Sequence, residues 1–193
     1  MNRKETTKFL TNVLVKDKLS DRKYYAKEVT LDYGTARPRR IDVMEFIPQG
    51  AIYASDIEKG TFTCYEIKSC KEDVYSGNGL NFYGEKNYIV TTMDTYKVLQ
   101  EDIRNGMLSA HICEFMGVET CPEFGIMVPV PGNIDLRDTE STFSEYESPS
   151  KLSPDGSWKL WSVYPQAREW HRTRSMSELL FCMLRAKHNQ SNM

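Results

Sequence analysis

Three residues in this chain have types and spacing suited to chemistry: Asp42, in Arg40-Ile41-Asp42-Val43, and Glu66 and Lys68, in Cys64-Tyr65-Glu66-Ile67-Lys68. Both segments read as strands, over 40–47 and 61–68, the second rich in Thr, Phe, Tyr and Ile. Side chains alternate along a strand, so Glu66 and Lys68 share one face while Tyr65 and Ile67 take the other. A buried charge is costly unless it is paired or bound to metal. Asp42, at a similar place on the preceding strand, offers a second carboxylate. Two such acids can hold Mg²⁺ or Mn²⁺ through hard oxygen ligands and leave positions open for water and a phosphate oxygen. The cation would polarise the phosphate and lower the pKa of the water. Lys68 would orient or help deprotonate that water and stabilise developing charge. The chemistry that fits is phosphodiester hydrolysis. The plainer reading is a structural ion pair, Glu66–Lys68 or Asp42–Lys68, on a solvent-facing sheet, and a short motif alone does not choose between them.

The neighbourhood adds cations. Arg37, Arg39 and Arg40 stand just before Asp42, and Arg168, His171, Arg172 and Arg174 form a second cluster near the C-terminus. The formal net charge is −2, so a whole-protein positive field is absent and any nucleic-acid contact must rest on local clusters. The first cluster gains weight from its position; a solvated surface is the alternative for both. The segment 76–84, SGNGLNFYG, is no dinucleotide fingerprint, because it does not join a strand to a helix. Asn81, Phe82 and Tyr83 could touch a nucleic-acid backbone or stack on an unpaired base, against the default of packing on the sheet. No P-loop and no nucleophile-elbow pattern occurs, which argues against a nucleotide cofactor and against serine-based catalysis.

The elements needed to position these residues follow from periodicity. Residues 2–19 read as a helix, with Phe9, Leu10, Val13 and Leu14 at helical spacing. Strands are expected over 24–31, 87–92 and 124–130, a two-turn helix over 71–75, and a helix over 94–105. A last helix begins at Ser175-Met176-Ser177-Glu178, a capping-box pattern. Its Met176, Leu179, Leu180, Met183 and Leu184 form an apolar stripe that is core or a homodimer contact. Strands interleaved with helices give an α/β (α+β) class, a central mixed sheet flanked by helices.

Composition sets the remaining bounds. The 193 residues are 40% hydrophobic and 27% charged, ordinary values for a soluble globular chain. No apolar run approaches a membrane span, and MNRKETTKFL has no signal-peptide h-region. The five cysteines, Cys64, Cys70, Cys113, Cys121 and Cys182, contain no CxxC and read as reduced thiols of a cytoplasmic protein. Zinc on His111, Cys113 and Cys121 is the weaker alternative to buried thiols beside a surface histidine.

Asp42…Glu66-Ile67-Lys68, on adjacent strands after an N-terminal helix, resembles the core of the PD-(D/E)XK nuclease superfamily. The longer text Gly60-Thr61-Phe62-Thr63-Cys64-Tyr65-Glu66-Ile67-Lys68-Ser69, followed by Asp73, Gly77, Gly79, Asn81-Phe82, Gly84 and Tyr88-Ile89-Val90, is similar to the MmcB-like DNA-repair nucleases, closest to their phage and mobile-element versions. The resemblance covers roughly residues 1–130, and Arg174-Ser175 through Arg185 shares it.

It implies a restriction-endonuclease-like core over 1–131, with a C-terminal extension over 158–193. The Ser-, Glu- and Pro-rich stretch 132–157, expected as a loop or insertion, has no counterpart in it. The resemblance further implies Asp42, Glu66 and the Ile67 carbonyl as metal ligands, Lys68 serving the water, and an acid of the first helix, Glu5, completing the site, with Glu28 and Asp32 in reserve. DNA would be the partner, in repair, recombination or phage DNA metabolism, with Arg37, Arg39, Arg40, Ser69, Asn81 and Tyr83 as its contacts. The rival is a non-catalytic DNA- or protein-binding module on the same fold, including an inhibitor of host defence.

Overall fold

The computed structural model describes residues 1–20, 24–50, 53–77, 79–132 and 157–191. The chain runs α1 (Arg3–Lys18), β1 (Tyr24–Leu31), β2 (Arg39–Ile47), α2 (Ala54–Glu58), β3 (Thr61–Ile67), α3 (Lys71–Val74), β4 (Lys86–Val90), α4 (Met93–Arg104), α5 (Met107–Met116), β5 (Gly125–Pro131), β6 (Trp158–Tyr164) and α6 (Met176–Ser191).

The six strands lie in sequence order in one open mixed sheet. β1, β2 and β3 form an antiparallel meander, β4 and β5 continue parallel to β3, and β6 closes the far edge antiparallel. Helices on both faces make this an α/β fold. The parallel β3–β4 step needs a crossover; α3 and the segment leading to Gly84 supply it.

Local chemistry explains the elements. Asn2 caps α1 by accepting from the Glu5 N–H at 3.0 Å, and Glu5 returns the bond by accepting from the Asn2 N–H at 2.9 Å. Leu10, Val13 and Leu14 of α1 bury against Val43, Tyr65, Ile67 and Val90 on one face of the sheet. On the other side Leu179, Cys182 and Met183 of α6 cover Ala26, Val29, Met44, Phe62 and Cys64. Met93, Tyr96 and Leu99 of α4, with Leu108 and Ile112 of α5, pack on Ile89, Ile126 and Val128.

Residues 158–193 were expected as an extension packing on the core. Through β6 and α6 they complete the sheet and cover its first strands. The 132–157 stretch lies outside the described residues except for its ends, where the Gly132 N–H bonds the Ser157 carbonyl at 2.7 Å. Of the expected α6 capping box one half forms: Ser175 Oγ accepts from the Glu178 N–H at 3.2 Å, while the Glu178 carboxylate turns to Arg174 at 3.0 Å. All five cysteines are free. Among the described residues no helix is long and apolar enough to cross a membrane.

Candidate functional site

The β1–β2 ladder is interrupted at the residue that matters. Pairing runs Lys27↔Val43 and resumes at Val29↔Ile41, skipping Glu28 and Asp42. Glu28 sits there at φ +51°, a conformation costly for a residue with a Cβ. Across this gap the buried positions shift from a spacing of two to three, since Ala26 and Val29 belong to one cluster, as do Ile41 and Met44. On its other side β2 pairs with β3 only as far as Val43↔Tyr65. Asp42 therefore stands in a gap of the β1 ladder and just past the end of the β3 ladder. Its Oδ2 crosses to β3 and accepts the Ile67 N–H at 2.8 Å.

Glu66 is fully buried, and its Oε1 accepts the backbone N–H of Asn81 at 3.1 Å. Its Oε2 has no hydrogen-bond partner. Lys68 Nζ, also buried, lies 3.9 Å from that oxygen. The Lys68 backbone is tied at both ends: its N–H donates to the Val90 carbonyl at 3.0 Å, and its own carbonyl accepts from Thr91 Oγ1 at 2.6 Å. Burial, then the charge of Asp42, pushes the Glu66 carboxyl well above its ordinary value, against the pull of Lys68 and Asn81. Burial also raises Asp42, against the Ile67 N–H and the charges of Lys68 and Arg40. The two acids and the lysine thus form one electrostatic unit.

Asp73 belongs beside it, a residue that sequence reasoning left unassigned. Both the N–H and the hydroxyl of Ser69 donate to Asp73 Oδ2, each at 3.0 Å. Arg3 of α1 binds its other oxygen. Burial works against the charge of Asp73, but these hydrogen bonds and the nearby Lys68 outweigh it and hold the carboxyl below its ordinary range. The signal lies in a contact between residues 3 and 73, which no local pattern reveals.

Several expected site residues are placed elsewhere. Glu5 is exposed and serves the α1 cap, because the N3 position points its carboxylate back at Asn2; from that helix it is Arg3 that reaches the site. The Ser69 hydroxyl is held by Asp73. Tyr83 is buried in the core with α6, and the Arg174 guanidinium lies 5.4 Å from its ring centroid. Of the reserve acids, Asp32 pairs with Arg174 at 2.8 Å and Glu28 lies opposite Asp42 in the ladder gap. His111 of α5 packs against Tyr75 at a tilt, with ring centroids 4.8 Å apart. Among the described residues no group of three or more His, Cys, Asp or Glu side chains is placed to hold a metal ion, the His111, Cys113 and Cys121 set included.

The two basic clusters differ sharply. Arg168 pairs with Glu123 at 2.9 Å, Arg172 with Glu85 at 2.7 Å, and Arg174 with both Asp32 and Glu178. Each of these cations has an acid partner. Arg37, Arg39 and Arg40 instead line a cavity of about 640 Å³ together with Thr30, Gly77, Asn81 and Phe115. Arg39 is fixed there: its Nη2 donates to the Phe115 carbonyl at 2.9 Å and its guanidinium lies 4.4 Å over the Phe115 ring. Asn81 joins this cavity to the acids, since its Nδ2 donates to the Arg40 carbonyl at 2.8 Å while its N–H serves Glu66.

No family model matches this chain, and no curated protein or solved structure matches it either.

Proposed function

We propose that the protein is a Mg²⁺- or Mn²⁺-dependent nuclease that hydrolyses DNA phosphodiester bonds on a PD-(D/E)XK-type core. The observation that carries the reading is Glu66: a fully buried carboxylate with one oxygen lacking any hydrogen bond, beside Asp42 and 3.9 Å from the Lys68 ammonium. An unsatisfied buried carboxylate oxygen is costly and calls for a cation or a proton. An antiparallel meander followed by a parallel crossover strand, with the acids where β2 and β3 part, suits that core.

The donors fit a hard divalent ion, which takes carboxylate oxygens, one or two from the protein, and keeps water in its remaining positions. Asp42 and Glu66 would hold it, with the Ile67 carbonyl as a third oxygen. Bound there, the ion supplies Lewis-acid polarisation of the phosphate and a more acidic water. The chain's own groups do the rest. The Ile67 N–H holds Asp42 in orientation, and the Asn81 N–H does so for Glu66. Lys68 sets a positive charge where negative charge develops on the phosphate and the attacking oxygen. Arg37 and Arg40 grip phosphate beside the scissile bond, with Arg39 held between them on Phe115. DNA repair, recombination or phage DNA metabolism is the setting we infer.

The test is cleavage of a panel of DNA forms with Mg²⁺ or Mn²⁺, with chelator and Glu66→Gln as controls. Metal-dependent cutting lost in the variant is expected. Binding without cutting of any form would favour the non-catalytic module.

A further inference from the structure

The cavity beside the acids has features that gripping a duplex backbone does not require. A space of about 640 Å³ falls within the range of roughly 300–1,000 Å³ that encloses a small organic ligand.

The walls are specific. The Arg39 guanidinium lies 4.4 Å over the Phe115 ring centroid and is bonded to the Phe115 carbonyl, so the group is held in place. Guanidinium and aromatic planes of this kind are surfaces on which unpaired bases stack. Gly79, at φ +73°, passes so close that a Cβ there would run into the Phe115 ring, which leaves the ring hemmed on that edge. Asn81 lines the cavity, is 2% exposed and is anchored through its N–H and its Nδ2, so a base set against it meets an amide fixed in place; its Oδ1 is buried without a hydrogen-bond partner. At the rim, the exposed Arg37 and Arg40 make no ion pair among the described residues, which leaves two cations for a phosphate.

We propose that this cavity seats one nucleotide of an unpaired nucleic-acid strand, its base against the Arg39–Phe115 pair and Asn81, its phosphate on Arg37 and Arg40. On the nuclease reading, on which only this clause rests, Asn81 sets the next phosphodiester before Glu66 and Asp42.

The experiment is equilibrium binding by fluorescence anisotropy, with full-length protein and chelator present so that no cleavage occurs. The probes are a short mixed-sequence DNA strand, the RNA strand of the same sequence, and the blunt DNA duplex. A single strand should bind at least about tenfold more tightly than the duplex, the scale of one or two stacking contacts; which strand wins says whether DNA or RNA is preferred. Arg37→Lys should keep that preference, because a phosphate accepts a point charge, whereas Arg39→Lys should erase it by removing the planar group. Thermal melts check that the Arg39 variant is folded; should it not be, the exposed Arg37→Ala must still weaken strand binding. Duplex binding equal to or tighter than strand binding overturns the proposal, as does a preference that survives Arg39→Lys. Because no step requires catalysis, the two readings fail separately. Strand preference without cutting removes the nuclease and keeps the cavity, while metal-dependent cutting without strand preference does the reverse.

Discussion

Asp42 Oδ2 accepts the backbone N–H of Ile67 at 2.8 Å, across the point where β2 and β3 stop pairing. A side chain thus replaces a ladder bond at the place where the sheet opens. It fixes the Asp42 carboxylate beside Glu66 and gives the two acids a shared electrostatic fate.

The first prediction is a stability–pH signature of that fate. The Glu66 carboxyl is raised well above 4.5 by burial and by Asp42. An acid whose pKa is raised on folding keeps its proton longer in the native state. The contribution is therefore complete below the unfolded value and lost as pH rises through and beyond it. In chelator, wild-type stability relative to Glu66→Gln should fall from about pH 4.5 upward. Mg²⁺ or Mn²⁺ should recover stability in the wild type alone, by mass action on the folded state. Urea midpoints across pH, with and without metal, measure both. A constant difference between the two proteins over the whole range would contradict the coupling.

Lys68 carries the second prediction. Its ammonium is buried 3.9 Å from Glu66 Oε2, and its backbone is pinned on β4 and Thr91. Lys68→Met preserves bulk while removing charge. Single-turnover cleavage should fall by about 10²–10³, the usual cost of one electrostatic contact to the transition state, with nucleic-acid affinity kept. Lys68→Arg should not restore the rate, because a planar fork cannot occupy the place of a point charge. Loss of folding in both variants would mark Lys68 as a purely structural partner of Glu66.

Asp73 supports the third. It receives two hydrogen bonds from Ser69 and the Arg3 guanidinium, tying α1 and α3 to the residue after Lys68. Asp73→Asn should cost about 1.5–3 kcal/mol, the range for hydrogen bonds to a charged group. The Asp73 carboxyl is held below its ordinary value, so its contribution is present above the usual carboxylate range and lost as pH falls through the lowered value. The deficit of the variant should accordingly shrink in acid. Denaturant midpoints at neutral and acidic pH test this, and an equal deficit at both would refute it.

These contrasts show what the chain declares locally. The meander and its acids were legible because strand alternation and Glu-x-Lys spacing are short-range; 24–31 was expected as a strand and β1 spans Tyr24–Leu31. α5 was not. It starts on Gly106 at φ +79° without a side-chain cap, ends on Gly117 at φ +69°, and buries only Leu108 and Ile112. Phe115, a wall of the arginine cavity, was hidden with it. β6 was visible only as apolar content, since its place beside β5 depends on a partner reached after 26 intervening residues. Glu5 misled because an acid at N3 of a helix serves equally as a cap, and Asn2 three residues earlier is the stronger local claim.

The last prediction turns on a distinction that sequence alone could not draw, for the two basic clusters look alike as text. Their difference lies in acids far along the chain. Glu85 and Glu123 neutralise Arg172 and Arg168, Asp32 takes Arg174, and no such acid meets Arg37 or Arg40 among the described residues. Arg172 also donates to the Gly60 carbonyl at 3.3 Å, so it ties the segment before α6 to the start of β3. Arg172→Ala should therefore lower stability by about 1–3 kcal/mol through a stranded Glu85, and leave the salt dependence of nucleic-acid binding unchanged. Arg37→Glu and Arg40→Glu should do the opposite. They should leave the melting temperature nearly fixed, weaken binding to all sequences alike, and flatten the slope of log affinity against log salt by about one unit per lost contact. Salt titrations and thermal melts on the three variants separate the cases. A slope that flattens in Arg172→Ala, and not at Arg37 or Arg40, would move the nucleic-acid surface to the segment before α6 and detach it from the arginine cavity.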